Sequence, residues 1–144
     1  MTLRKEEAKV AHYLLDTNHA SPLVTPGHAL IRRMQQQQAQ GDTFALCVPV
    51  LTELLFGIGI APRAAQNLKL WTQWEQLLEC LIPDATSAKE AAELQIALRK
   101  QGRQLATVDA LIAVTALRYD LTLLTTDGDF RAVPGLRLAN WRTD

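Results

Sequence analysis

Tyr13-Leu14-Leu15-Asp16-Thr17-Asn18 is a short apolar run that stops abruptly at a carboxylate, an alcohol and an amide. An apolar run of strand length bounded by turn-forming residues reads as a buried strand of a parallel sheet, and acids that follow such strands lie where ligands bind. Asp16 is therefore the first candidate functional residue. An acid here can equally cap the next turn, with Asn18 accepting an unusual backbone angle. What separates the two readings is that the same event recurs downstream.

Phe44 to Val48, Glu79 to Ile82 and Leu121 to Leu124 read as further strands, and Leu136 to Leu138 as a last one after the Pro134-Gly135 turn. Helical patterns fill the intervals. The segment His19 to Gly27, which carries Pro22 and Pro26, is expected to be irregular or a single short turn, and from Ala29 through the run Gln35 to Gln38 the chain suits an exposed helix that Gly41-Asp42 breaks. Pro49 opens a helix whose apolar stripe is Val50, Leu51, Leu54, Leu55 and Ile58, with Glu53 at its border and in need of a partner. Pro62 starts a long helix to about Leu78, with Leu68, Trp71, Trp74 and Leu78 as its inward or partner-facing edge. Another spans about Ser87 to Lys100, where Ala88, Ala91, Ala92, Gln95, Ile96 and Arg99 follow helical spacing. Thr107 caps a helix that is apolar almost all round, from Val108 to Leu117, and Asp109 sits in its first turn. Strands alternating with helices give an α/β fold with a parallel sheet and right-handed crossovers.

With 144 residues, 48% of them hydrophobic, the chain is expected to form one compact domain over 1–144, with a polar lead-in over residues 1–10. Fifteen basic and fifteen acidic residues leave no net charge, so any polyanion must be held locally. Cys47 and Cys80 form no CxxC pair and read as reduced core residues, which argues against a zinc ribbon or a redox motif. The N-terminus has no apolar segment typical of a secretion signal. The one stretch resembling a membrane span, Ala45 to Ala61, contains Pro49 and Glu53, and a central acid costs roughly 2.5–3.5 kcal/mol on insertion. A cytoplasmic protein with no membrane partner is the expectation.

Asp16 follows the first strand, Glu53 lies in the helix after the second, Asp109 opens a central helix, and Asp127 with Asp129 follows the fourth strand. In a parallel sheet these places fall on or near the carboxyl-end edge, so residues remote in sequence can meet. Carboxylates sharing one site repel, and protonation or a bound cation relieves them. No lysine follows Lys100 to pair with Asp109. All-oxygen ligation points to Mg²⁺ or Mn²⁺ and away from zinc. His12, His19 and His28 are all N-terminal; His19 is close to the site but reads as a hydrogen-bonded structural histidine.

These residues resemble the PIN-domain ribonucleases, specifically the VapC-type toxins of type II toxin–antitoxin pairs. The likeness runs from about His12 to Trp141 and rests on LLDTN at 14–18, TELLFG at 52–57, VDALIAVTA at 108–116, LLTTDGDF at 123–130 and VPGLRLANW at 133–141. It implies a three-layer α/β/α fold with a five-stranded parallel sheet in the order 3-2-1-4-5. It also implies Mg²⁺-dependent endonucleolytic cleavage of RNA, tRNA or rRNA, leaving a 3′-hydroxyl and a 5′-phosphate. By the family pattern Asp16, Glu53, Asp109 and Asp127 are the acidic catalytic and metal set, with Asn18 and Thr125 as polar support. Asp129 matches the acid before the family's phenylalanine, so either it or Asp127 completes the metal site. A homodimer and a small antitoxin whose C-terminal segment wraps the cleft are further implications. Arg99, Lys100, Arg103 and Arg131 are candidates for the RNA backbone. The departure is His19-Ala20-Ser21-Pro22, where the family more often continues with apolar residues.

Rival readings are weaker. A haloacid-dehalogenase phosphatase needs a second Asp where Asn18 stands, and a phosphotransfer receiver needs a late lysine. The more serious alternative is a catalytically silent PIN-fold module that binds RNA or protein.

Overall fold

The computed structural model describes residues 9–143; of the expected polar lead-in, residues 1–8 lie outside that range. Five parallel strands, β1 (His12–Leu15), β2 (Thr43–Cys47), β3 (Glu79–Leu81), β4 (Thr122–Leu124) and β5 (Leu138–Ala139), form one sheet in the order β3-β2-β1-β4-β5. Leu14 and Leu15 point to opposite faces of β1 and both have no exposed surface. Both faces of the sheet are therefore covered, which gives the three-layer α/β/α, PIN-like arrangement. The helices are α1 (Thr17–Ala20), α2 (Ala29–Ala39), α3 (Val48–Ile60), α4 (Ala64–Glu75), α5 (Ala85–Lys100) and α6 (Thr107–Arg118), with 3₁₀ turns at Ser21–Val24 and Gly128–Ala132.

Several elements sit where the sequence patterns put them, and others are displaced for identifiable reasons. The last strand begins at Leu138 instead of Leu136, because the turn at Gly135 (φ 75°) closes with the Leu136 N–H on the Val133 carbonyl. Only beyond that turn does the chain reach pairing register with β4. α4 starts at Ala64, after an Ala61–Ala64 turn, and ends at Glu75; Trp71 and Trp74 are buried as expected while Leu68 is exposed. In α3, Val50, Leu54 and Ile58 are buried but Leu55 is exposed.

α5 turns a different edge inward from the one its alanines suggest. Its N-cap Asp84 forms a capping box with Ser87, and the buried residues are Ser87, Ala91 and Leu98, while Ala88, Ala92, Ile96 and Arg99 are exposed. Small side chains at 87 and 91 let α5 approach α6. Thr107 does not cap α6: the N-cap is Ala106, and the Thr107 hydroxyl instead accepts a hydrogen bond from Gln95 Nε2 (3.2 Å). Cys47 is buried as expected, but Cys80 is exposed, because β3 is an edge strand.

Tyr13 stacks on Phe44 (5.2 Å between centroids), and Trp141 meets both rings edge-on, with Arg33 lying 4.1 Å over the indole. This aromatic cluster pins the C-terminal segment to the first two strands. Among the described residues no helix is long and apolar enough to cross a membrane.

Candidate functional site

β1 ends because Asp16 leaves the ladder: its N–H still bonds the Leu124 carbonyl (3.0 Å), but its side chain caps the following turn. Asp16 Oδ1 accepts from the Thr17 N–H (2.8 Å), and Oδ2 accepts from the Thr125 hydroxyl (2.7 Å) and from Asn18 Nδ2 (3.3 Å). The capping role and the convergent role thus coexist in one carboxylate. Asp16 is nearly buried, and burial raises its pKa, opposed by the donors from Thr125 and Thr17 and reinforced by the charges of Glu53 and Asp127.

Asp109 is half-buried in the first turn of α6. Burial lifts its pKa to about 6, and the charges of Asp16, Asp127, Glu53 and Asp129 push in the same direction, in falling order of effect. All five acids named from the sequence therefore share one electrostatic field. The upward shifts of Asp16 and Asp109 are the opposite of what arginine neutralisation would give. Among the described residues the ion pairs are Arg118–Asp84 and Arg137–Asp120, and neither reaches these acids.

Glu53 is exposed, and its partner is Thr17, whose hydroxyl donates to Oε2 at 2.7 Å. Thr17 is a residue that sequence reasoning left unassigned, although it lies inside the run that opened the reading. Asp127 caps the 3₁₀ turn through its Oδ1 and the Asp129 N–H (2.9 Å), and its own N–H donates to Thr125 Oγ1 (3.0 Å). Asn18 is fastened on every side. Its Nδ2 faces Asp16 and Thr125, and its Oδ1 accepts from the Thr126 N–H (3.1 Å) and bonds His19 Nδ1 (2.7 Å).

The four proposed RNA contacts fall in different places. Arg99 and Arg103 line a cavity of about 440 Å³ together with Asp129, whereas Arg131 lines a second one of about 240 Å³ with Asp127. Lys100 is exposed at the end of α5 and borders neither. A separate cavity of about 450 Å³, lined by His12, Asp42, Thr43 and Glu79 among others, lies at the opposite, amino end of the strands.

The donors at the acidic mouth suit a hard cation. They are oxygens only, since His19, the nearest histidine in sequence, is taken up by Asn18 and by the Trp141 N–H. Among the described residues no group of three or more His, Cys, Asp or Glu side chains forms a ready-made metal cage.

Fold and site together define a parallel α/β domain with an acidic mouth at the carboxyl end of its sheet. The chain belongs to the PIN domain family, whose model matches residues 13–136. It is similar to Ribonuclease VapC2 of Rickettsia felis, 28% identical over 130 residues that cover 90% of this chain and 97% of that protein. The tRNA(fMet)-specific endonuclease VapC of Shigella flexneri is 26% identical over 133 residues, covering 90% and 97%. Among solved structures, VapBC2 from Rickettsia felis bound to a DNA fragment from its promoter superposes with a TM-score of 0.80, at 26% identity over 91% of this chain and 99% of that one. FitAcB from Neisseria gonorrhoeae gives 0.73, at 25% identity over 89% and 96%.

Proposed function

We propose that this chain is a divalent-metal-dependent endoribonuclease toxin that hydrolyses RNA phosphodiester bonds and is neutralised by a small cognate antitoxin. The observation that carries the reading is the anchored Asp16 carboxylate, which shares its field with acids from three other elements, while among the described residues no arginine forms an ion pair with any of them. The relatives named as a ribonuclease and a tRNA-specific endonuclease support the reaction class.

Asp16 and Asp109 would hold Mg²⁺, or Mn²⁺ in its place. When bound, such an ion supplies Lewis acidity toward a phosphate oxygen and lowers the pKa of a water. The side chains have the remaining work. Thr125, Asn18 and the Thr17 N–H hold the Asp16 carboxylate in one orientation, and the Thr17 hydroxyl restrains Glu53 at the rim. Asp127 is assigned to the acidic set ahead of Asp129. It acts more strongly on Asp109 than Asp129 does, and it also acts on Asp16. Arg99, Arg103 and Arg131 would take RNA phosphates beside the mouth, with Lys100 further out.

An apolar cavity of about 200 Å³ beside Glu53, lined by Val24, Leu54 and Ile58, adjoins α3, which exposes Phe56 and Ile60. Exposed apolar side chains on the helix that carries Glu53 suit a protein segment with apolar anchors and a cation, as an antitoxin tail would have. The reading includes a homodimer acting in the cytoplasm, from a single domain.

The test is incubation of purified chain with a tRNA and rRNA panel, with Mg²⁺ or with EDTA, followed by sequencing of RNA 5′ ends. Cleavage at discrete sites that disappears with EDTA and in Asp16→Asn is expected. RNA binding without cleavage would make the chain a silent PIN module instead.

A further inference from the structure

We propose that His19, where this chain departs from the family pattern, is a positioning residue that orients Asp16 through Asn18 and ties the acidic mouth to the C-terminal segment. The inference rests on the metal-site reading of Asp16. His19 has no exposed surface and lies between two fixed partners. Its Nε2 faces the backbone N–H of Trp141 at 3.0 Å, and its Nδ1 faces Asn18 Oδ1 at 2.7 Å.

The chemistry of the partners determines the ring. A backbone N–H can only donate, so Nε2 is unprotonated; the neutral ring then carries its proton on Nδ1 and donates to Asn18. The Asn18 amide cannot be turned round either, because the atom receiving the Thr126 N–H (3.1 Å) must be its oxygen. With Oδ1 held from two sides, the NH₂ group faces Asp16 Oδ2 and Thr125 Oγ1. A directed chain thus runs from the Trp141 N–H through His19 and Asn18 to the Asp16 carboxylate.

The anchor of that chain is firm. Trp141 is fixed by Tyr13, Phe44 and Arg33, and the Arg142 guanidinium donates to the Asn18 backbone carbonyl at 2.8 Å. Residues 141 and 142 lie beyond the segment matched by the PIN model, which ends at 136. A hydrophobic residue at 19 would fill the space but leave the Trp141 N–H and Asn18 Oδ1 each short of a partner. Imidazole supplies one acceptor and one donor on opposite sides of a rigid ring.

The experiment measures Mn²⁺ binding to the full chain by electron paramagnetic resonance, and the His19 ring by ¹⁵N NMR, in wild type, His19→Phe, His19→Gln, Asn18→Ala and the double variant His19→Phe/Asn18→Ala. The expected ring is neutral and protonated on Nδ1. Mn²⁺ affinity should fall about 10- to 100-fold in His19→Phe, the range for partners that orient a ligand. It should recover in large part in His19→Gln, which keeps one donor and one acceptor, and fall no further when His19→Phe is added to Asn18→Ala. A ring protonated on Nε2, a folded His19→Phe with wild-type affinity, or a loss that adds to that of Asn18→Ala would overturn the proposal. Should His19→Phe not fold, the ring tautomer and the comparison of His19→Gln with wild type decide. RNA cleavage is no part of these readouts, so a chain that binds Mn²⁺ without cutting RNA defeats the nuclease reading and leaves the His19 result standing. If wild type binds no Mn²⁺, the metal reading fails, and displacement of the Asn18 side-chain amide resonances in the His19 variants still tests the restraint.

Discussion

The Thr125 hydroxyl donates to Asp16 Oδ2 at 2.7 Å, joining the ends of two neighbouring strands across 109 residues of chain. This bond does two things at once: it satisfies a nearly buried carboxylate, and it holds that carboxylate in one orientation. Thr125→Val removes the donor while keeping the shape. A hydrogen bond to a charged group contributes about 1.5–3 kcal/mol, so a lower Tm at neutral pH is expected. Cleavage should drop about 10- to 100-fold through kcat, with KM little changed, and Thr125→Ser should restore both. A Thr125→Val chain with wild-type kcat would remove Thr125 from the site.

Asp109 gives a pH signature in the absence of divalent ions. Its folded pKa of about 6 lies above the ordinary 3.8, so the folded chain binds the proton more tightly than the unfolded one. Stability therefore falls as pH rises from about 4 through 6 and levels off above. Asp109→Asn, melted in EDTA, should exceed wild type by about 1–3 °C at pH 7.5, small because solvent screens a half-exposed group, and the gain should vanish near pH 4. Mg²⁺ should raise the wild-type Tm at pH 7.5 and leave the variant unmoved. Equal gains at both pH values would show that charge is not the cause.

The strands were legible because a buried parallel strand is an unbroken apolar run, and Leu14-Leu15, Leu46-Cys47 and Leu123-Leu124 are such runs. Asp16 and Asp109 stood out because one directly follows such a run and the other opens a buried helix. Asp127 and Asp129 follow the last of these runs, and Glu53 is exposed on α3 at the border of its apolar stripe. Helix faces were harder to read. In α5 the alanines at 88 and 92 are as compatible with solvent as with a core, and the capping box at Asp84 and Ser87 sets which edge meets α6. Thr107 looked like a cap because nothing in the sequence announces that Gln95, twelve residues earlier, uses its hydroxyl. The His19 network was illegible for the same reason: one of its partners is the backbone N–H of Trp141, and a backbone group leaves no mark on the pattern of side chains.

The arginines beside the acids predict a separable effect on substrate. Arg99 and Arg103 border one cavity with Asp129, and Arg131 borders another with Asp127. If Arg103 meets an RNA phosphate, Arg103→Glu raises KM several-fold with kcat near wild type, and lowers the salt slope of RNA binding by about 1. Binding measured from 50 to 300 mM salt checks this. An unchanged slope with an unchanged KM would leave Arg103 as solvated surface charge.

Asp84 and Arg118 make a prediction that involves no substrate. Asp84 accepts from the Ser87 N–H (2.9 Å) at the start of α5 and from Arg118 Nη1 (2.9 Å) at the end of α6, so one carboxylate caps one helix and fastens it to the next. The Ser87 N–H first, and then Arg118, hold its pKa down at about 2, against 3.8 for a free carboxyl. A depressed folded pKa means the contribution is fully present above about 4 and is lost as pH falls toward 2. Asp84→Ala should therefore melt below wild type at pH 7, and the two curves should converge near pH 2. Arg118→Met, which leaves the cap and cuts the tie to α6, should show a smaller deficit over the same pH range. If the Asp84→Ala deficit instead persists undiminished at pH 2, it belongs to the neutral hydrogen bonds of the cap, and the charge on Asp84 has no part in holding α5 to α6.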